Sequence, residues 1–204
     1  MKKLLFLVIA LLLVSPAMAS ANMLVNPGFE VSDENQGYMS GWTDDWGNNI
    51  FSTTDQPHSG LRAAANSWDG GKYQDVAITA GEQYQLTGFV YIPTGTTTTP
   101  WGSFIGIKWL RSNDSMVGIW EQGDFASMTR DQYNQGDSGF LTAPDGAVKA
   151  RIRFGTWAND TLVGPVAPTD FDDFDFEAVP EPSSLMLLLT GITGIFGLGL
   201  KRKK

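Results

Sequence analysis

Tyr84-Gln85-Leu86-Thr87-Gly88-Phe89-Val90-Tyr91-Ile92, closed by Pro93, is the stretch that decides the fold. Apolar and polar residues alternate along it, the period of a strand with one buried face. Pro93 cannot donate to a ladder and ends the run. Similar runs lie on either side. Ser103 to Leu110 carries Phe104, Ile105, Ile107 and Trp109, and Met116 to Trp120 can return against it after the turn Ser112-Asn113-Asp114-Ser115. Ala147 to Phe154 alternates Val148, Ala150, Ile152 and Phe154 with Lys149, Arg151 and Arg153, predicting one core face and one wet face. A last strand is expected near Phe171 to Phe176. Thr94 to Pro100 reads as a polar loop. Alternation is lost between Glu121 and Gly139, where a long loop with at most one helical turn is expected. Convincing helical periodicity and internal repeats are both absent. The pattern predicts an all-β chain built as an antiparallel sandwich or barrel.

The two ends of the chain read differently from this body. Met1-Lys2-Lys3, the apolar run Leu4 to Val14 and the small-residue stretch ending at Ala17-Met18-Ala19 predict a secretory signal peptide over residues 1–19. At the other end Val179-Pro180-Glu181-Pro182 precedes an apolar run from Leu185 to Leu200 and the basic terminus Lys201-Arg202-Lys203-Lys204. The prolines cannot continue a sheet or helix. As a helix the apolar run would measure roughly 24 Å, slightly short of a bilayer core. Its glycines suit close helix contact, and its terminal cations should stay cytoplasmic. The expected organisation is therefore a signal peptide (1–19), a β-sandwich domain (20–178) and a hydrophobic tail (179–204) that places the domain outside the cytoplasm.

The whole chain has a net charge of −8. Without its two ends it keeps eight basic residues against twenty-one acids, near −13. Such a surface repels nucleic acid and anionic lipid and suits cations or neutral sugars. There is no cysteine, so no disulfide staples the exported domain. A bound ion could replace one.

The tail, with Pro180, Glu181 and Pro182, the short Leu/Gly span and the basic end, resembles the PEP-CTERM protein-sorting domain of Gram-negative bacteria. The resemblance covers only the last 26 or so residues. It implies recognition by an exosortase-type enzyme. An inner-membrane-anchored precursor would then be released to the cell surface or to an extracellular polysaccharide matrix. A plain C-terminal membrane anchor is the alternative reading.

The body resembles carbohydrate-binding modules of the jelly-roll, galactose-binding-like type. Leu24-Val25-Asn26-Pro27-Gly28-Phe29-Glu30 with Gly41-Trp42 is similar to their opening, and His58-Ser59-Gly60-Leu61-Arg62-Ala63 to their turn into a strand. Tyr73 to Val76, Ala80 to Tyr84, Thr142 to Ala147 and Phe171-Asp172-Asp173-Phe174 follow in the family's order. The resemblance implies a structural calcium ion held by the side chains of Glu30 and Asp172 and the backbone of Gly28 and Ser59 or Gly60, with Asp173 as the fallback. Hard cations favour such oxygen donors. Strand alternation would put Asp172 on one face with Phe174 and Phe176, among core residues. There an unpaired carboxylate is costly and an ion relieves it. The acids could equally be solvated or pair with Arg62.

Seven tryptophans are many for one small domain. Trp42 and Trp109 sit in strand-like pattern and are expected in the core. Trp46, Trp68, Trp101 and Trp120 lie in or beside Gly/Asn/Asp-rich loops and are the carbohydrate-binding candidates, since an exposed aromatic beside polar groups marks a binding surface. His58 is the lone histidine and reads as a turn residue. Asp44-Asp45, Asp69 and Glu121 could supply a glycosidase pair, a weak signal in so acidic a chain. The expectation is a non-catalytic, exported carbohydrate-binding protein. A structural or adhesive matrix protein, or a polysaccharide hydrolase or lyase, are the alternatives.

Overall fold

The computed structural model describes residues 21–32, 38–47, 49–66, 68–94, 102–123, 128–157 and 168–179. Both the residue 1–19 segment and Pro180, Glu181 and Pro182 lie outside the described residues. Asn22–Ala178 forms one unit with its own core. Its strands are β1 (Thr43–Trp46), β2 (Ile50–Thr53), β3 (Ala63–Asn66), β4 (Gly70–Ala77), β5 (Gln83–Tyr91), β6 (Ser103–Leu110), β7 (Met116–Gln122), β8 (Tyr133–Asp137), β9 (Leu141–Thr142), β10 (Lys149–Thr156) and β11 (Thr169–Val179). One sheet runs β1-β4-β10-β6-β7. The other runs β2-β3-β11-β5-β8, with β9 also on β5. The described residues hold no helix, and the two antiparallel sheets make the sandwich that the alternation predicts.

The inward faces follow the period of two. Ala150, Ile152 and Phe154 of β10 and Ile105, Ile107 and Trp109 of β6 meet Tyr84, Leu86 and Val90 of β5 and Phe171, Phe174 and Phe176 of β11. At the centre Phe29, Trp42, Phe154 and Phe174 pack mutually with ring centroids 5.1 to 5.8 Å apart. Edge-to-face and tilted geometries dominate, as the ring quadrupoles favour. Trp42 and Trp109 are core residues, as expected. Residues 22–30 form no strand. Asn26 takes φ 51° and its side chain bonds Val31 N at 3.0 Å, and its carbonyl accepts the Trp42 indole N–H at 3.0 Å. Asparagine tolerates this left-handed backbone through such local bonds. The Gln74 amide then clamps the segment by bonding Val25 N and O at 2.7 and 3.0 Å.

Three sequence expectations are corrected. The stretch from Glu121 to Gly139 contains β8, which pairs with β5 although its sequence, Tyr-Asn-Gln-Gly-Asp, lacks apolar alternation. Cross-strand pairing with a well-formed neighbour overrides weak propensity. Val148 precedes β10 and is exposed rather than core. Third, Asp172 does not share a face with Phe174. Phe171 and Phe174 both touch Phe154, so an extra residue lies between them, and Asp173 at φ 48° is that bulge. Asp172 is turned to the outer side, where the His58–Gly60 turn buries it.

Candidate functional site

Two places gather chemistry. The first is the outer face of the β1-β4-β10-β6-β7 sheet. Cross-strand register puts Gly71 beside Gly155 and Gly155 beside Phe104, then Tyr73, Arg153, Gly106 and Glu121, then Asp75, Arg151, Lys108 and Ile119. Gly71 has no side chain because the Trp46 ring occupies that space: a Cβ there would lie 2.1 Å from the indole. Trp46 thus lies flat on the sheet. It stacks near-parallel with Phe104 at 5.7 Å and 16°, and Trp157 stacks on Phe104 at 4.5 Å and 13°. Trp46 and Trp157 are themselves 6.3 Å apart and 27° from parallel. Phe104 faces outward yet is fully buried, because the two indoles cover it. Trp157 remains 37% exposed.

Polar groups rim this aromatic cluster. The Trp46 indole N–H donates to Asp69 Oδ1 at 3.0 Å. Arg153 lies between Glu121, 2.7 Å from Nη1, and Asp45, 2.6 Å from Nη2, with its guanidinium 5.1 Å from the Trp46 ring and 4.9 Å from Phe104. A cation over an aromatic face adds about 0.5–2 kcal/mol, so it helps hold the rings in place. Its Nε–H is buried with no acceptor. Arg151 is paired to Asp75 at 2.7 Å and lies over Tyr73.

Of the tryptophans expected to bind sugar, Trp46 is in this cluster. Trp68 is exposed and its carbonyl accepts from the Thr156 hydroxyl, next to Trp157. Trp120 is across from Ile107 on the inward side and packs against the core. Trp101 lies outside the described residues. Trp157 was not singled out by the sequence reading. The usable signal was Phe104, an apolar residue out of phase in β6 that needs an outer cover.

The second place is the corner where the 26–30 turn, the His58-Ser59-Gly60 turn and the β11 bulge meet. Glu30 accepts N–H bonds from Leu61 at 2.9 Å and Arg62 at 3.2 Å. A Cβ on Gly60, at φ +63°, would fall 2.0 Å from Glu30 Oε1, so only glycine fits. Asp172 Oδ2 accepts from His58 N at 2.8 Å and Ser59 N at 3.2 Å, and Oδ1 accepts from Asp173 N at 2.8 Å. Asp173 takes the Ser59 hydroxyl at 2.8 Å and pairs with His58 Nδ1 at 2.7 Å. The His58 ring stacks on Phe89 at 3.8 Å, consistent with a turn residue. Gly28 faces Asp172 and Asp173. The expected set of Glu30, Asp172, Gly28 and Ser59 is therefore brought together, with Asp173 beside it.

Burial, then the neighbouring Asp173 charge, pushes the Asp172 carboxyl up to about 6. Two residues earlier, burial and then Asp55 and Asp172 push Asp170 up to about 7, and its Oδ1 has no hydrogen-bond partner. Among the described residues no three acidic or histidine side chains already converge as metal ligands. Asp172 is buried, and both its oxygens already accept backbone N–H bonds; with Glu30 and Asp173 it supplies carboxylate oxygens of the hard kind that a calcium-like cation takes.

This architecture is an antiparallel jelly-roll β-sandwich. The CBM22-1 xylan-binding domain of Paenibacillus barcinonensis Xyn10C is similar over 80% of this chain and 97% of its own, with TM-score 0.54 and 14% identity. A family 16 carbohydrate-binding module matches over 76% and 99%, with TM-score 0.54 and 18% identity. The enzymatically active domain of bacteriophage CBA120 tailspike protein 4 has TM-score 0.59 and 14% identity, over 78% of this chain. The chain spans about a fifth of that domain's length, 21%. At these identities the likeness is one of fold. Residues 178–203 match the PEP-CTERM protein-sorting motif, so the chain carries that signal at Pro180-Glu181-Pro182. No curated protein matches the chain.

Proposed function

We propose that this is an exported, non-catalytic carbohydrate-binding protein that holds glycan on the outer face of the five-stranded sheet. The observation that carries the reading is the near-parallel Trp46 and Trp157 pair laid over Phe104, with Asp69, Asp45, Glu121 and Arg153 around it. Flat indoles present a surface for the C–H face of a sugar ring, and rimming polar groups can bond its hydroxyls. The fold shared with a xylan-binding domain supports the same reading. Asp45 and Glu121 are both tied to the Arg153 guanidinium rather than standing as an unpaired couple of carboxylates facing each other across a cleft. This favours binding over hydrolysis.

In this reading residues 1–19 direct export and are removed. The PEP-CTERM segment then anchors a precursor in the inner membrane until an exosortase-type enzyme processes it. The product resides at the cell surface or in the extracellular polysaccharide of a Gram-negative bacterium. A calcium ion at Glu30, Asp172, Gly28 and Ser59 ties the opening turn to the last strand and substitutes for the disulfide the chain lacks. The test is retention of the calcium-loaded protein on a panel of bacterial and plant polysaccharides, the host's own matrix glycan included. Saturable retention on one class, lost in Trp157→Ala, is expected. A protein retained by none would move the role to protein contacts within the matrix.

A further inference from the structure

The outer face that we read as the glycan site also carries four of the eight basic residues of the body: Lys108, Lys149, Arg151 and Arg153. Three are matched by carboxylates. Arg153 has Asp45 and Glu121, Arg151 has Asp75, and Lys149 has Asp75 and Asp114. Among the described residues, Lys108 is the cation on this face with no carboxylate at ion-pair distance. It sits between Arg151 on β10 and Ile119 on β7, one register step along from Gly106. It is partly buried, and burial and the Arg153 charge both disfavour its ammonium form, although Asp45 and Glu121 are near enough to favour it. Those two acids are already engaged by Arg153. A partly buried cation with no carboxylate at ion-pair distance is an incompletely met electrostatic demand. A second unmet demand lies one step away, where the buried Arg153 Nε–H has no acceptor.

Geometry links this cation to the aromatic cluster. Lys108 and Phe104 are on the same side of β6 and four residues apart, about 13 Å at the strand rise. That is the span of a short oligosaccharide. Gly106 lies between them without a side chain, and Glu121 packs over it.

We propose that the ligand of this face is an acidic polysaccharide, with a sugar ring on Trp46 and Trp157 and the carboxylate of a neighbouring uronate on Lys108. The inference rests on the reading of this face as the glycan site. It runs against the overall negative charge of the body, so a local cation, rather than the net field, would select the ligand.

The test uses the full-length protein in detergent, with affinity electrophoresis in gels holding a uronate-rich polysaccharide or the same polysaccharide after carboxyl reduction. Affinity for the acidic form is expected to be about tenfold higher at low salt and to fall as salt screens the pair. Lys108→Met should bring the ratio of the two affinities near one, and Lys108→Arg should keep it. Equal affinity of the unaltered protein for the acidic and reduced forms overturns the inference and leaves the glycan site standing; this arm does not depend on any variant folding. An acidic preference that survives in Lys108→Met also overturns it. Retention by neither form overturns the inference and the reading of the face together.

Discussion

Calcium removal should make the stability of this protein depend on pH in an unusual direction. Asp172 is buried, and its carboxyl is pushed from an ordinary 3.8 to about 6. A carboxyl that folding turns into a weaker acid favours the folded state while protonated. Its contribution is whole below pH 3.8 and is lost as pH rises through about 6. Roughly two units at 1.36 kcal/mol each is about 3 kcal/mol, on the order of 6–12 °C in melting temperature for a chain of this size. Asp170, pushed to about 7, acts in the same sense. Asp75, held below its ordinary value by Arg151 and Lys149 against the opposing effect of burial, acts oppositely at low pH, so the window of interest is pH 4.5 to 7.5. In chelator, melting followed by circular dichroism should fall across that window. At pH 7.5, calcium at a hundred times its Kd should return about 2.7 kcal/mol, and more at pH 7.5 than at pH 4.5, because the ion needs the ionised carboxylate. Glu30→Ala should abolish the calcium response, and Asp172→Asn should reduce the pH dependence to the part that Asp170 contributes. Identical melts in chelator and calcium at pH 7.5 would refute the cation site. A melting temperature in chelator that stays level from pH 4.5 to 7.5 would refute the buried-carboxylate argument itself.

Two further substitutions separate the site from the core. Gly71→Ala must displace the Trp46 ring, since its Cβ would come within 2.1 Å, so glycan affinity should drop several-fold with little change in melting temperature; an unaltered affinity would show that the Trp46 position is unimportant. Trp120→Ala opens a void beside the core, and truncations of this kind cost about 3–5 kcal/mol when fully buried, so a partly buried ring should fall at or below the low end. Its melting temperature should drop while the folded fraction still binds, and loss of binding at unaltered stability would return Trp120 to the ligand face.

Much of the fold was legible because β-strands with one buried face repeat every two residues. Tyr84 to Ile92, Ser103 to Leu110 and Met116 to Trp120 are found as β5, β6 and β7, with the expected turn between the last two. β8 was not legible, since Tyr-Asn-Gln-Gly-Asp is fixed by its partner β5 rather than by its own pattern. The meeting of the Glu30 and His58–Gly60 turns with Asp172 was visible in the turn sequences, but the Asp173 bulge was not, because alternation alone cannot reveal an inserted residue. The aromatic face was half visible. Trp46 beside glycines suggested a surface, whereas Trp157 is defined by stacking on Phe104, a contact across the sheet that no local spacing encodes.

The central claim is that Trp46 and Trp157 form a glycan platform. Titrating the protein with oligosaccharides of the class it retains, while following tryptophan fluorescence, tests it most directly. The account predicts a saturable change whose affinity weakens by about 2 kcal/mol or more, roughly thirtyfold, in Trp46→Ala and Trp157→Ala alike. Full affinity in a folded double variant would contradict it.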